Sequence, residues 1–140
     1  MPVSTLQGHL GGSLSSVSRN IDTLLSVPWV KWRVDFAYTY AGWSCTAMLW
    51  MSIEQAKINQ AASALTGLPQ LRWCASTSGE SNLVASLRLK ELQELDTIEH
   101  RLQAAFPGLQ VRDRWVVPRT AKTQGHVLDE MGLHRGYVPL

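Results

Sequence analysis

The run Ser78-Gly79-Glu80-Ser81-Asn82 is the best candidate in this chain for ligand-facing chemistry. Glycine lets a backbone approach a ligand closely, and the flanking hydroxyl, carboxylate and amide groups offer several donors and acceptors. By pattern alone a plain hairpin loop is the simpler account of the same residues. A second group lies near the N-terminus. Ser13, Ser15, Ser16, Arg19 and Asn20 fall on one polar side of a helical pattern. Small hydroxyls there could come close to a major groove, and an arginine reaches guanine or phosphate. An ordinary amphipathic helix with a solvated side gives the same pattern. Lys31 and Arg33, just beyond, could touch phosphates or simply keep a strand edge soluble.

Other chemistries find no support. His9, His100, His126 and His134 do not stand at ligand spacing from one another or from a cysteine, so neither metal nor cofactor is expected. There is no nucleophile elbow, phosphate loop or paired-carboxylate arrangement, and no catalytic residue is assigned. Glu91, Glu94 and Glu99 read as the exposed side of their helix, and His100 as a solvated helix residue. Cys45 and Cys74 sit in apolar runs and read as buried, reduced thiols. The six tryptophans suit cores and interfaces, Trp50, Trp73 and Trp115 falling on strands.

The chain of 140 residues is 45% hydrophobic and 17% charged, which fits a globular protein rather than a disordered one. A net charge of +2 is too small for a global field to attract nucleic acid, so any such contact needs a local patch. Arg112, Arg114, Arg119 and Lys122 form one cluster of basic residues. With no signal-like N-terminus and no apolar run of membrane length, a cytoplasmic location is expected.

The positioning elements follow from periodicity. Ser4 to Leu10 suits a short helix and Gly11-Gly12 a tight turn. From a Ser13 cap, Leu14, Val17, Ile21, Leu24 and Leu25 recur on one helical side until Ser26-Val27-Pro28 ends it. Val30 to Ala37 alternates as a strand, and Cys45 to Met51 is a nearly continuous apolar strand. A helix is expected from Ser52, with Gln55 completing a capping box, and Ile58, Ala61, Ala62 and Leu65 inward. Leu71 to Thr77 and Asn82 to Leu89 make a hairpin. Glu91 to Phe106 is a helix with Leu92, Leu95, Ile98 and Leu102 on one side, and Leu109 to Val117 is the last strand. From Pro118 the chain reads as a polar tail with a helical turn or two near Val127 to Met131.

The resulting β-α-β-β-α-β order is a split βαβ arrangement, with a four-stranded antiparallel sheet and both helices on one face. Its other face carries Thr46, Met48 and Trp50, too apolar for a face meant for water. Covering Met48 and Trp50 would stabilise by about 2–3 kcal/mol each. These two residues are therefore the expected dimer interface. Strict alternation also places Arg72 and Cys74 on this face and Trp73 with Leu71.

The sequence resembles the leucine-responsive/AsnC transcription regulators. LGGSLSSVSRNIDTLL (Leu10 to Leu25) is similar to the turn and recognition helix, and WVKWRVDF (Trp29 to Phe36) to the linking strand. LPQLRWCASTSGESNLVASLRLKELQEL (Leu68 to Leu95) is similar to the family's strand, Gly-containing turn and second strand. The resemblance implies an α+β protein, in which a ferredoxin-like βαββαβ effector domain (a dimeric α+β barrel) follows a partial winged helix-turn-helix. The domains would be residues 1–28 (partial helix-turn-helix), 29–43 (linking strand and hinge), 44–118 (effector and oligomerisation domain) and 119–140 (tail). It implies promoter DNA as a partner of Ser13, Ser15, Ser16, Arg19, Asn20, Lys31 and Arg33. It also implies an amino-acid effector at Gly79, Glu80 and Asn82, a homodimer or higher oligomer, and no membrane. Two departures stand out. The family's first helix would need about a dozen residues before Ser4, and Asn82 stands where an acidic residue is common, giving hydrogen bonds without charge.

Two other readings compete. A stand-alone sensing module without DNA binding fits the incomplete helix-turn-helix. An enzyme on a dimeric α+β barrel would need an acid-base group directed into the pocket, and all four histidines fall outside the expected strands.

Overall fold

A computed structural model of the chain describes residues 3–30 and 36–139, which fall into two compact units divided between Asp35 and Phe36. Lys31 and Arg33, with most of the expected linking strand, lie outside the described residues.

The first unit holds α1 (Val3–Leu10) and α2 (Leu14–Ser26), packed on each other across the Gly11-Gly12 turn. Ser13 caps α2, its hydroxyl accepting from the Ser16 amide at 3.2 Å, which satisfies one of the unpaired amides at the helix start. The expected buried side of α2 is mostly bare. Val17 is buried, but Leu14, Leu24 and Leu25 are each about half exposed. With eight residues, α1 is too short to cover the length of a helix of thirteen.

The second unit contains β1 (Cys45–Ser52), α3 (Ile58–Thr66), β2 (Leu71–Ser76), β3 (Leu83–Leu89), α4 (Glu94–Ala105) and β4 (Gln110–Val117). The four strands form an antiparallel sheet in the order β2-β3-β1-β4, so the βαββαβ order and ferredoxin-like topology expected from the sequence are present. One face is dry. Ala47, Leu49 and Met51 of β1 and Leu83, Ala85, Leu87 and Leu89 of β3 meet Ile58, Ala61 and Leu65 of α3 and Leu95, Ile98 and Leu102 of α4. β1 alternates as its sequence does, with Met48 and Trp50 on the other face and only partly covered.

Several expectations need correcting. Ser52 does not start a helix; it still pairs with Gln110, and residues 55–57 form a tight 3-10 turn before α3. A 3-10 turn also spans Tyr38–Ala41, where Arg88 stacks on the Tyr38 ring. On β2 an extra residue, Arg72, lies between the pairs Leu71–Leu87 and Trp73–Ser86. This bulge reverses the expected alternation. Cys74 joins Leu71 against the core, while Trp73 falls in the row Trp73–Ser86–Met48–Trp115 on the open face.

The C-terminal region is not a tail with helical turns. It is a small sheet of β5 (Lys122–Thr123), β6 (His126–Leu128) and β7 (His134–Tyr137). Gln124 and Gly125 turn β5 into β6 with φ of 47° and 86°, values suited to a two-residue hairpin turn. A Cβ on Gly125 would come within 2.5 Å of the Tyr137 ring, so no larger residue fits. Asp129 accepts from the Met131 and Leu133 amides and pairs with Arg135, closing the second turn. The Leu133 amide, more than any other group, holds its carboxyl below the usual carboxylate range. His126 and His134 therefore lie on strands, contrary to expectation, with rings 5.2 Å apart, but in this small sheet rather than the four-stranded one.

Candidate functional site

The hairpin between β2 and β3 is tied down at its base. The Thr77 amide donates to the Asn82 carbonyl, the Thr77 hydroxyl donates to the Ser81 carbonyl at 2.6 Å, and the Asn82 amide donates to the Met51 carbonyl. Gly79, at φ 120°, takes a backbone conformation that side-chain-bearing residues rarely adopt. The Asn82 side chain has a different use from the one expected. Its amide oxygen accepts from the Ile53 amide at 3.0 Å and its nitrogen donates to the Ile53 carbonyl at 2.7 Å. That pair of bonds fixes the hairpin against the end of β1. An uncharged amide does this where a carboxylate could not, since only the amide both donates and accepts.

This anchoring sets Glu80 and Ser81 beside the open face of the sheet. There Trp50, Glu80, Ser81, Arg112, Asp113 and Trp115 line a shallow cleft of about 330 Å³. Gly79 and Asn82 support it without lining it. The Trp50 and Trp115 ring centroids are 5.1 Å apart, a separation typical of favourable tilted aromatic pairs. The Trp115 indole donates to the Asp113 carboxylate at 2.6 Å, whose other oxygen accepts from the Arg114 amide.

Arg112, Asp113 and Trp115 are absent from the sequence-derived site, and the cause is local. Asp113 pairs with Trp50, while Val111 pairs with Met51, which leaves Arg112 as an extra residue. Plain alternation would put Arg112 and Asp113 on opposite faces. The bulge brings both to the cleft. The next residue, Arg114, pairs with Leu49 on the helix-covered side and grips Glu99 with two guanidinium nitrogens. Glu99 is thus a buried member of an ion pair and not part of an exposed helix side. Its hydrogen bond and charge raise the Arg114 pKa further above the ordinary range. Arg114 is accordingly unavailable to a basic patch.

Glu94 is also committed. It accepts from the Lys90 amide at 2.7 Å, the Glu91 amide at 3.0 Å and the Gln70 side chain at 3.1 Å, capping α4. Burial pushes its pKa up, but these hydrogen bonds and the Lys90 charge outweigh that and hold it below the usual range. His100 is exposed, its Nδ1 set against the Asp96 carbonyl. No group of three metal-ligating side chains occurs among the described residues.

In the first unit, Ser15, Ser16, Arg19 and Asn20 are all exposed along α2. Ser13 is occupied as the cap, its hydroxyl also 2.9 Å from that of Ser15.

No family model matches the sequence, and no curated protein sequence is detectably similar. Solved structures do match. A feast or famine regulatory protein of M. tuberculosis, complexed with L-methionine, aligns with a TM-score of 0.71 at 18% identity, over 87% of this chain and 83% of that one. AsnC of E. coli aligns with a TM-score of 0.70 at 12% identity, over 86% and 83%. The chain has the Lrp/AsnC fold. A transcriptional regulator of Neisseria meningitidis, in complex with L-methionine, aligns at 0.75 with 15% identity over 88% and 82%. The Lrp/AsnC likeness therefore extends across most of the chain, as the sequence resemblance implied. No described helix is long and apolar enough to cross a membrane.

Proposed function

We propose that the protein is an effector-responsive, DNA-binding transcription regulator of the Lrp/AsnC kind, which senses an amino acid or a related small metabolite. The observation that carries this reading is the shared fold over most of the chain with regulators, two of them complexed with L-methionine. Residues 1–28 would supply the DNA-reading part through the exposed Ser15, Ser16, Arg19 and Asn20, with Ser13 holding the helix start and Lys31 and Arg33 on phosphates. Residues 44–118 would supply sensing and assembly, with residues 29–43 joining the two. Gly79 and Asn82 shape the effector turn, and Glu80 faces the effector.

The open face supports self-association as part of this reading. Trp73, Met48 and Trp115 share one row across the sheet, and Trp50 lies in the next. Trp73 and Trp115 are about half exposed in a single chain. A second copy on this face would remove those indoles from water. An effector bound beside that interface changes assembly only through different affinities for the assembly states.

Light scattering after gel filtration, with and without the common L-amino acids, tests sensing and assembly together. Binding to the protein's own upstream DNA is measured in parallel. A dimer or larger assembly is expected, with at least one amino acid changing its size or its DNA affinity and with DNA affinity falling steeply as salt rises. A monomer indifferent to every amino acid would sink the reading.

A second reading, a sensing module that does not bind DNA, is favoured by the bareness of α2, where Leu14, Leu24 and Leu25 are exposed. It predicts a normal oligomer and an amino-acid response, with no retention of DNA at low salt.

A further inference from the structure

The histidines divide into an occupied pair and an open pair. The Nδ1 atoms of His9 and His100 are set against the Thr5 and Asp96 carbonyls at 2.8 and 2.7 Å. His126 and His134 are exposed, and neither has a hydrogen bond with another described residue. They meet because of one irregularity. Val127 pairs with Gly136 and Leu128 with His134, which leaves Arg135 as an extra residue on β7. Plain alternation would put His134 and Tyr137 on opposite faces of the small sheet. The bulge puts both on the face of His126, with ring centroids 5.2 and 5.1 Å from its own. Every strand side chain of this sheet is exposed or only partly covered, so apolar burial contributes little to holding it together.

We infer that His126 and His134 together bind one divalent transition-metal ion of the kind that imidazole prefers, such as Zn2+, Ni2+ or Cu2+. The inference goes beyond the regulator reading and does not depend on it. Two imidazoles bound to a tetrahedral ion through nitrogens about 2.0–2.1 Å away have ring centres about 5 Å apart, the separation found here. The terminal torsion of histidine is broad, so both rings can turn a nitrogen to one point without moving the backbone. Water fills the remaining positions, as in other open metal sites. The charges nearby do not oppose a cation. Arg135 is neutralised by Asp129, whose carboxylate is also taken up by the Met131 and Leu133 amides and is no ligand. Lys122 pairs with Val127 and so belongs to the opposite face from His126. The bound ion would tie β6 to β7 and stabilise a sheet that has little core of its own.

The test is calorimetric titration of the full, untagged chain with Ni2+ and with Zn2+. Saturable binding at micromolar ion concentrations is expected. Either His126→Gln or His134→Gln should weaken it by about tenfold or more, because a lone imidazole lacks the second ligand held ready beside it. His9→Gln and His100→Gln should leave it unchanged. Both open histidines are exposed, so their variants should fold, and the amide signals of Gly125 and Leu133 in an NMR spectrum check that the small sheet is intact. A second measurement needs no variant. In the wild type, bound Ni2+ should protect His126 and His134 from diethyl pyrocarbonate while His9 and His100 still react, read by peptide mass spectrometry. Binding only at millimolar ion concentrations, affinity indifferent to both substitutions, or protection that does not single out this pair would each overturn the site.

Discussion

The two faces of the four-stranded sheet are built from the same strands and do different work. Toward the helices, Leu49, Leu83, Leu87 and Leu89 are fully buried, and the fold closes without help. Toward the open side, Trp73 and Trp115 are half exposed and Met48 and Trp50 partly covered. A dry face of branched aliphatics specifies one chain's fold. An indole-rich face with a charged cleft at its margin is suited to meeting something else.

Substitutions should separate the two roles. Leu87→Ala opens a cavity in the dry face and should cost about 3 kcal/mol of unfolding free energy, read by urea denaturation of the chain. If it altered assembly and left stability alone, the division would be wrong. Met48→Glu places a charge on the open face and should weaken self-association by about a hundredfold or more, read by light scattering on dilution. Far-ultraviolet circular dichroism should be unchanged. Arg114→Met strands the buried Glu99 carboxylate on the helix side. The cost should be about 2 kcal/mol, below that of a fully buried pair because the arginine is half in water. Glu94→Gln should cost least, about 0.5 kcal/mol at neutral pH. Because the folded-state pKa of Glu94 lies below its unfolded value, its contribution is complete above the ordinary glutamate range. It fades as the pH falls through the folded value, so variant and wild type should converge in acid.

What the sequence revealed was whatever local periodicity controls. β1 alternates as its residues do, because it is a central strand paired without interruption to β3. Trp73 and Arg112 were misplaced or missed because each follows or forms a single-residue bulge, which inverts a period of two and leaves no composition signal. Glu99 was misread because its partner, Arg114, lies on another element, and helical spacing cannot show that contact. Asn82 was assigned to a ligand on chemistry that fits equally well to Ile53 of a neighbouring segment. The C-terminal strands, of two to four residues, are too short for periodicity to register. Thr123-Gln124-Gly125-His126 did offer a signal, since a glycine between β-forming residues is a hairpin cue. In α2 the pattern identified the apolar side, but a pattern does not state what covers it.

Both outer strands of the sheet, β2 and β4, are interrupted by a single-residue bulge at an arginine, Arg72 and Arg112. A rim broken by a kink and a cation is a poor template for another chain to zip onto. Accretion side by side is therefore discouraged at both borders, which leaves the broad indole-bearing face as the apolar surface free for contact. Were two copies to meet face to face, the contact would use up its own surface as it formed, and growth would stop at a finite particle rather than running on into a fibre.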